Sequence, residues 1–182
     1  MKHKIKEIDF NRLNYIYSID SNNGMGNTNC KLINFTYNGE ELEFQTPKVI
    51  IEKLIKENNK EYLLLRIIGN QACKTFCTKI LEMEEAHNNK LSVNTNWFNN
   101  KLQTNNIKSV FQNDCFIVKI PFKYSKPCIK IYTTDSNLFN YYHLKQGMEI
   151  ICLLSSNNLW INFDNSVTYN LIVKEILVTK HT

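Results

Sequence analysis

The residues most suited to chemistry are lysines and aromatics set out by alternation. Read as a strand, residues 116–123 place Phe116, Val118, Ile120 and Phe122 on one face and Lys119 and Lys123 on the other. In residues 128–132, Ile129 and Ile131 share the core side while Lys130 and Tyr132 point out. Tyr62 and Arg66 fall together in residues 62–68, and Trp160 lies opposite Leu159, Ile161 and Phe163. Collected on one surface, these side chains would suit single-stranded nucleic acid. Cations neutralise phosphates and release counterions, and aromatic faces stack on bases without regard to sequence. Lysines on an outer strand face also serve solubility and edge protection, and Trp160 would equally fit the core of a two-sided sheet. Trp97-Phe98, in a polar stretch followed by Lys101, reads either as a loop anchor on the core or as a stacking element.

Other chemistry finds little support. Gly24-Met25-Gly26 has no third glycine and no strand-to-helix setting, so it is no dinucleotide loop. The densest acidic group, Glu82, Glu84 and Glu85, splays over different faces of a helix and reads as a solvated end. Six cysteines (Cys30, Cys73, Cys77, Cys115, Cys128, Cys152) contain no CxxC pair, and the four histidines are scattered. Reduced cysteines used as small apolar filler are expected, with no metal, no cofactor and no disulfide framework. A binding protein rather than an enzyme follows.

The elements that must position these residues are mostly strands. Residues 12–19 alternate weakly. Residues 30–37 and 40–45 flank Asn38-Gly39, a strong hairpin signal, and Pro47 ends the second run. Residues 49–57 read as helix or irregular segment. A strand over 62–68 ends at Gly69, and apolar positions at 3/4 spacing predict a helix over 71–86. Residues 87–113 read as a long polar loop. Strands follow over 114–122, 128–133, 148–154, 159–163 and 167–178. About eight strands and one main helix predict a mainly β fold, a five-stranded Greek-key barrel of OB type with additions; a β-sandwich is the alternative.

The bounds agree with one such domain. The chain has 182 residues and a net charge of +5, with 43% hydrophobic and 21% charged residues. That is the make-up of a globular fold and excludes wholesale disorder. No apolar run reaches a membrane span and no signal peptide is expected, which places the protein inside a cell. Residues 91–182 carry nine lysines against five acids, a mild bias towards a polyanion partner. Residues 1–29 read as an N-terminal strand or arm with a loop, 30–179 as the barrel domain and 180–182 as a tail.

The order of features resembles a known family. Gln45-Thr46-Pro47-Lys48 after a strand, Asn96-Trp97-Phe98 after the helix, the run 116–121 leading into Ile129-Lys130-Ile131-Tyr132, Gly147-Met148-Glu149-Ile150-Ile151-Cys152 and the strand Leu159-Trp160-Ile161-Asn162 carry the likeness. The chain is similar, over residues 45–178, to the single-stranded DNA-binding proteins of nucleocytoplasmic large DNA viruses. A Pro-Phe-Gly-like element expected soon after Lys48 is absent. The resemblance implies an OB-type fold that coats single-stranded DNA during viral genome replication, at replication sites in the host cytoplasm or nucleus. It singles out Lys48, Lys119 and Trp160. The full expected contact set is Lys48, Arg66, Lys101, Lys119, Lys123 and Lys130 for phosphates and Tyr62, Trp97, Tyr132 and Trp160 for bases. Single-stranded DNA, or RNA, is the expected partner, with self-association along the strand; the alternative is a structural or interaction protein of a virus, a β-sandwich virion component without nucleic-acid binding.

Overall fold

Two large sheets, a two-stranded hairpin and one α-helix make up the described residues of the computed structural model, which are 4–18, 31–98, 107–162 and 164–180. The strands are β1 (Leu13–Ser18), β2 (Lys31–Tyr37), β3 (Leu42–Gln45), β4 (Val49–Glu57) and β5 (Lys60–Ile67). After helix α1 (Gln71–Val93) come β6 (Phe111–Gln112), β7 (Cys115–Ile120), β8 (Phe122–Lys123), β9 (Lys126–Pro127) and β10 (Lys130–Thr133). The last four are β11 (Glu149–Ser156), β12 (Asn158–Ile161), β13 (Val167–Tyr169) and β14 (Ile172–Lys180).

Strand period explains the larger sheet. In β5, Leu63 and Leu65 are fully buried while Tyr62, Leu64 and Arg66 face out. In β7, Phe116, Val118 and Ile120 are buried and Cys115, Ile117 and Lys119 face out. The strands pair in the order β14-β11-β4-β5-β7, and β7 meets β14 again through Lys119 and Ile172. That last pairing closes a five-stranded barrel of OB-like topology. A sandwich of two open sheets is excluded, because the larger sheet curls onto itself. Closure needs strands that bend, and bulges supply the bend. β4 carries one at Glu52, between Ile51 opposite Leu65 and Lys53 opposite Leu64.

That bulge also corrects the reading of residues 49–57, which form a nine-residue strand. The extra residue inverts the alternation halfway along. Val49 and Ile51 point inwards before it, Leu54 after it. A pattern that changes phase looks irregular in one dimension.

The helix α1 plugs one end of the barrel. Asn70 caps it, its side chain accepting from the Cys73 N–H at 2.8 Å. Phe76 packs between Phe44 and Phe116, with ring centroids 6.3 and 5.1 Å away. The helix runs seven residues past its expected end at Ala86. Its buried stripe of Phe76, Ile80, Met83, Glu84, His87 and Leu91 continues the 3/4 spacing through two polar residues. Glu84 is therefore no solvated end residue. It is 8% exposed and accepts from the Tyr169 hydroxyl at 2.6 Å and the Val110 N–H at 3.2 Å. His87 Nδ1 lies 2.7 Å from the Tyr15 hydroxyl.

Tyr15 and Tyr169 come from the second sheet, β1-β2-β12-β13, which lies over the later turns of the helix. The expected single strand over 167–178 is split to make it. Residues up to Tyr169 pair with β12, and from Ile172 the chain joins the barrel. Asn38-Gly39 does form the expected tight turn, with φ of 52° and 85°. It closes a single rung, Tyr37 opposite Glu40, and the strands do not continue as a hairpin, since β2 pairs with β1 and β12 while β3 pairs with β11. The turn hands the chain from one sheet to the other. Before β1, Ile8 and Phe10 are buried in the common core, as is Leu13 at its start.

Candidate nucleic-acid interface

An open groove of ≈ 610 Å³ crosses the outer face of β5 and β7 and is walled by the β12–β13 hairpin. Tyr62 and Lys119 are direct cross-strand partners on its floor, and Ile172 follows Lys119 in register on β14. Ile117 stands two residues further along the same face of β7. Trp160, half-buried, comes from β12 and forms the opposite wall with Thr168 of β13. Lys60 stands at the mouth of the β4–β5 turn, and Lys108 approaches from the segment before β6. The residues that bring these groups together are the alternating ones, so Tyr62 and Lys119 share a face for the reason Leu63 and Val118 share the other.

The electrostatics favour an anion. Three lysines line the groove and, among the described residues lining it, none is acidic. Partial burial and, second, the Lys60 charge hold the Lys119 ammonium below the usual lysine range. A phosphate between these two lysines would relieve their repulsion. Burial and then Glu57 push the Tyr62 phenol up, so the ring in the groove is uncharged. Lys108 Nζ lies 4.0 Å from the Asp164 carboxylate, a distant pairing with both side chains largely exposed. Asn158, Asn162, Thr168 and Asn170 give the rim donors and acceptors.

Beneath the groove, Glu84 ties two of its lining residues to the helix. The Tyr169 hydroxyl and the Val110 N–H both donate to its Oε1. Burial pushes the Tyr169 phenol well up, and the Glu84 charge adds to it. The wall is thus held from inside by the acid that the sequence places on a solvated helix end.

Of the ten residues expected to contact nucleic acid, Tyr62, Lys119 and Trp160 meet in this groove. Arg66 lies on the same face four residues along β5 from Tyr62 and pairs with Glu52 at 2.9 Å. Lys48 is exposed at the other end of the β4–β5 ladder, next to Val49 opposite Ile67. Lys130 and Tyr132 stand on β10 beside the second half of β14. Lys130 is opposite Glu175 there and shares a shallow hollow with Glu43. Lys123 is on the β8–β9 hairpin. Trp97 is corrected from base platform to anchor. It is 8% exposed, and Tyr17 stacks on it at 6.0 Å with an interplanar angle of 12°. Lys101 lies outside the described residues. Lys60 and Lys108 were missed. Lys60 opens β5 two residues before the expected strand start at 62, where alternation from Tyr62 puts it on the same face; Lys108 sits in an irregular segment, where strand alternation says nothing about direction.

Fold and groove define the class: an OB-like barrel whose strand face and elaborated β11–β14 connection make a basic, aromatic cleft. Among solved structures, the chain is similar to gp2.5, a single-stranded DNA-binding protein encoded by bacteriophage T7. The TM-score is 0.58 at 10% identity, covering 78% of this chain and 88% of that one. At that identity the likeness is one of fold. No family model and no curated protein matches the chain.

Proposed function

We propose that the protein binds single-stranded DNA without strong sequence preference, in the groove between β5–β7 and the β12–β13 hairpin. The observation that carries this reading is the meeting of Tyr62, Trp160 and three lysines in one open cleft with no lining carboxylate among the described residues. Lys60, Lys108 and Lys119 take phosphates. Tyr62 and Trp160 stack on bases, and Asn158 and Thr168 meet base edges or sugars in a sequence-tolerant way. The role is binding rather than catalysis. The fold likeness to a phage single-stranded DNA-binding protein supports the reading, as does the resemblance to the viral DNA-coating family. Coating of single strands during viral genome replication, in the host cell, is the setting it fits.

The test is fluorescence anisotropy with a labelled oligo-dT, titrated across salt, with duplex DNA as the comparison. Tight single-strand binding that weakens as salt rises is expected, with little duplex affinity. No binding at low salt would refute the reading.

A further inference from the structure

Outside the groove, one short element breaks three local rules at once. The β8–β9 hairpin turns through Tyr124 and Ser125, with φ of 50° and 59°. Glycine and asparagine adopt this left-handed geometry readily, whereas tyrosine does so at a cost. The neighbouring β4–β5 turn uses Asn58 and Asn59 for the same geometry. Next, Lys123 and Lys126 are direct cross-strand partners, a like-charge pairing that weakens a hairpin. Finally, the Tyr124 ring is 87% exposed, with Lys123 Nζ 5.4 Å from its centroid. The first two choices cost the hairpin stability, and the third leaves a large ring in solvent but for the Lys123 contact. Local rules broken together at an exposed tip point to function.

The tip is presented on a seated base. Phe122 meets Tyr141 edge to face at 5.8 Å, and the Cys128 N–H donates to the Pro121 carbonyl at 2.8 Å. Phe122 and Ser125 wall a hollow whose far side is the β4–β5 turn, and Lys60 lines both this hollow and the groove. A strand leaving the groove past Lys60 therefore reaches the hairpin. Two carboxylates lie near this path. Glu61 is paired with Lys56 at 3.0 Å and accepts from the Tyr141 hydroxyl at 2.5 Å; Glu57 is the cross-strand partner of Lys60. With Lys123 and Lys126 added, lysines outnumber them.

We propose that the β8–β9 hairpin is a second subsite for single-stranded DNA, where Tyr124 stacks on a base beyond the groove and Lys123 and Lys126 hold the flanking phosphates. A phosphate between the two ammonium groups removes their repulsion, and a stacked base covers the exposed ring. The proposal rests on the reading of the groove given above.

The experiment measures affinity for oligo-dT of increasing length, from about 4 to about 16 nucleotides, with the wild-type chain, Tyr124→Gly, Tyr124→Phe and the double variant Lys123→Ala/Lys126→Ala. The shortest oligomers fill only the groove and bind all four proteins alike. The longer ones lose about 5- to 150-fold with Tyr124→Gly and keep their affinity with Tyr124→Phe. Tyr124→Gly melts a few degrees higher than wild type, since glycine accepts the positive φ. Loss of affinity with a gain in stability is not what a merely structural residue produces. Should Tyr124→Gly melt lower, the double-lysine variant decides: a loss confined to longer oligomers supports the subsite and unchanged affinity overturns it. Wild-type affinity of Tyr124→Gly at every length, while Trp160→Ala weakens every length, leaves the groove standing and removes the hairpin from the path. Unchanged DNA affinity with altered self-association makes the hairpin a protein contact and overturns the proposal. If the wild-type chain binds no length, the groove reading fails first.

Discussion

The two tryptophans have the same ring and opposite situations. Trp160 stands half-buried in the groove wall, while Trp97 is covered by Tyr17. Loss of the Trp160 face removes one base platform, so Trp160→Ala is expected to weaken oligo-dT binding by about 1–3 kcal/mol, or roughly 5- to 150-fold. Intrinsic fluorescence separates the pair. DNA-induced quenching is expected to persist in Trp97→Phe and to vanish in Trp160→Phe; the reverse pattern would move the binding face elsewhere. His87 carries a different prediction. Its imidazole is fully buried in an aromatic setting with Phe35, Tyr15 and Tyr169, and burial pushes its pKa down to about 3. The unfolded histidine titrates near 6.5, so between these values the unfolded chain binds the extra proton. The stability from the neutral ring is complete above about 6.5 and falls by about 1.4 kcal/mol per pH unit as pH drops towards 3. Denaturant melts from pH 7.5 to 4 read this slope. His87→Met, which keeps bulk without a titrating group, is expected to flatten it.

At the scale of elements, the turns decide where each strand goes. Gly39 has a φ of 85°, and a Cβ placed there meets nothing within 4 Å. Gly39→Ala therefore tests backbone strain alone, and about 1 kcal/mol of stability loss is expected by chemical denaturation. Gly39→Asn is expected to cost less, because asparagine tolerates left-handed geometry. The α1 helix shows the complementary case. Its last two turns hold their place through Glu84 and His87, whose partners Tyr15, Tyr169 and Val110 lie 26 to 85 positions away in the chain. Glu84→Ala leaves the buried Tyr169 hydroxyl without its acceptor. It is expected to destabilise the fold by about 1–3 kcal/mol and to weaken DNA binding by loosening the groove wall. Thermal melts and oligo-dT titrations on the same sample check both effects. Tyr169→Phe, which removes donor and need together, is expected to do less.

For the whole molecule, the groove's three lysines set the expected salt response. Each phosphate neutralised on a single strand contributes about −0.7 to the slope of log K against log salt, so on oligomers short enough to fill only the groove, contacts by three lysines give a slope of about −2. Lys60→Ala and Lys119→Ala are each expected to lower its magnitude by about 0.7, read from titrations at several salt concentrations. A slope unchanged in both variants would place the phosphates on another face. The pairing of Tyr62 with Lys119 was legible in the chain, because outward positions on β5 and β7 follow from strand period once Leu63, Leu65, Phe116 and Val118 are taken as core. The OB-like barrel was legible from strand count, a single long helix and turn residues. The strand β4 was not, since its bulge at Glu52 changes the phase of alternation. The end of α1 was not, since a buried glutamate and histidine look like surface until their distant partners arrive. Local sequence determined which residues face in and which face out along each regular element, because that depends on periodicity alone. Only the tertiary structure decided which outward faces meet. Closure of β7 onto β14 and the strand switch after Tyr169 bring Trp160 across from Tyr62 and Lys119, and the same closure leaves Lys48, Lys130 and Tyr132 on other surfaces. Such meetings depend on contacts far apart in the chain, which no short stretch of residues encodes.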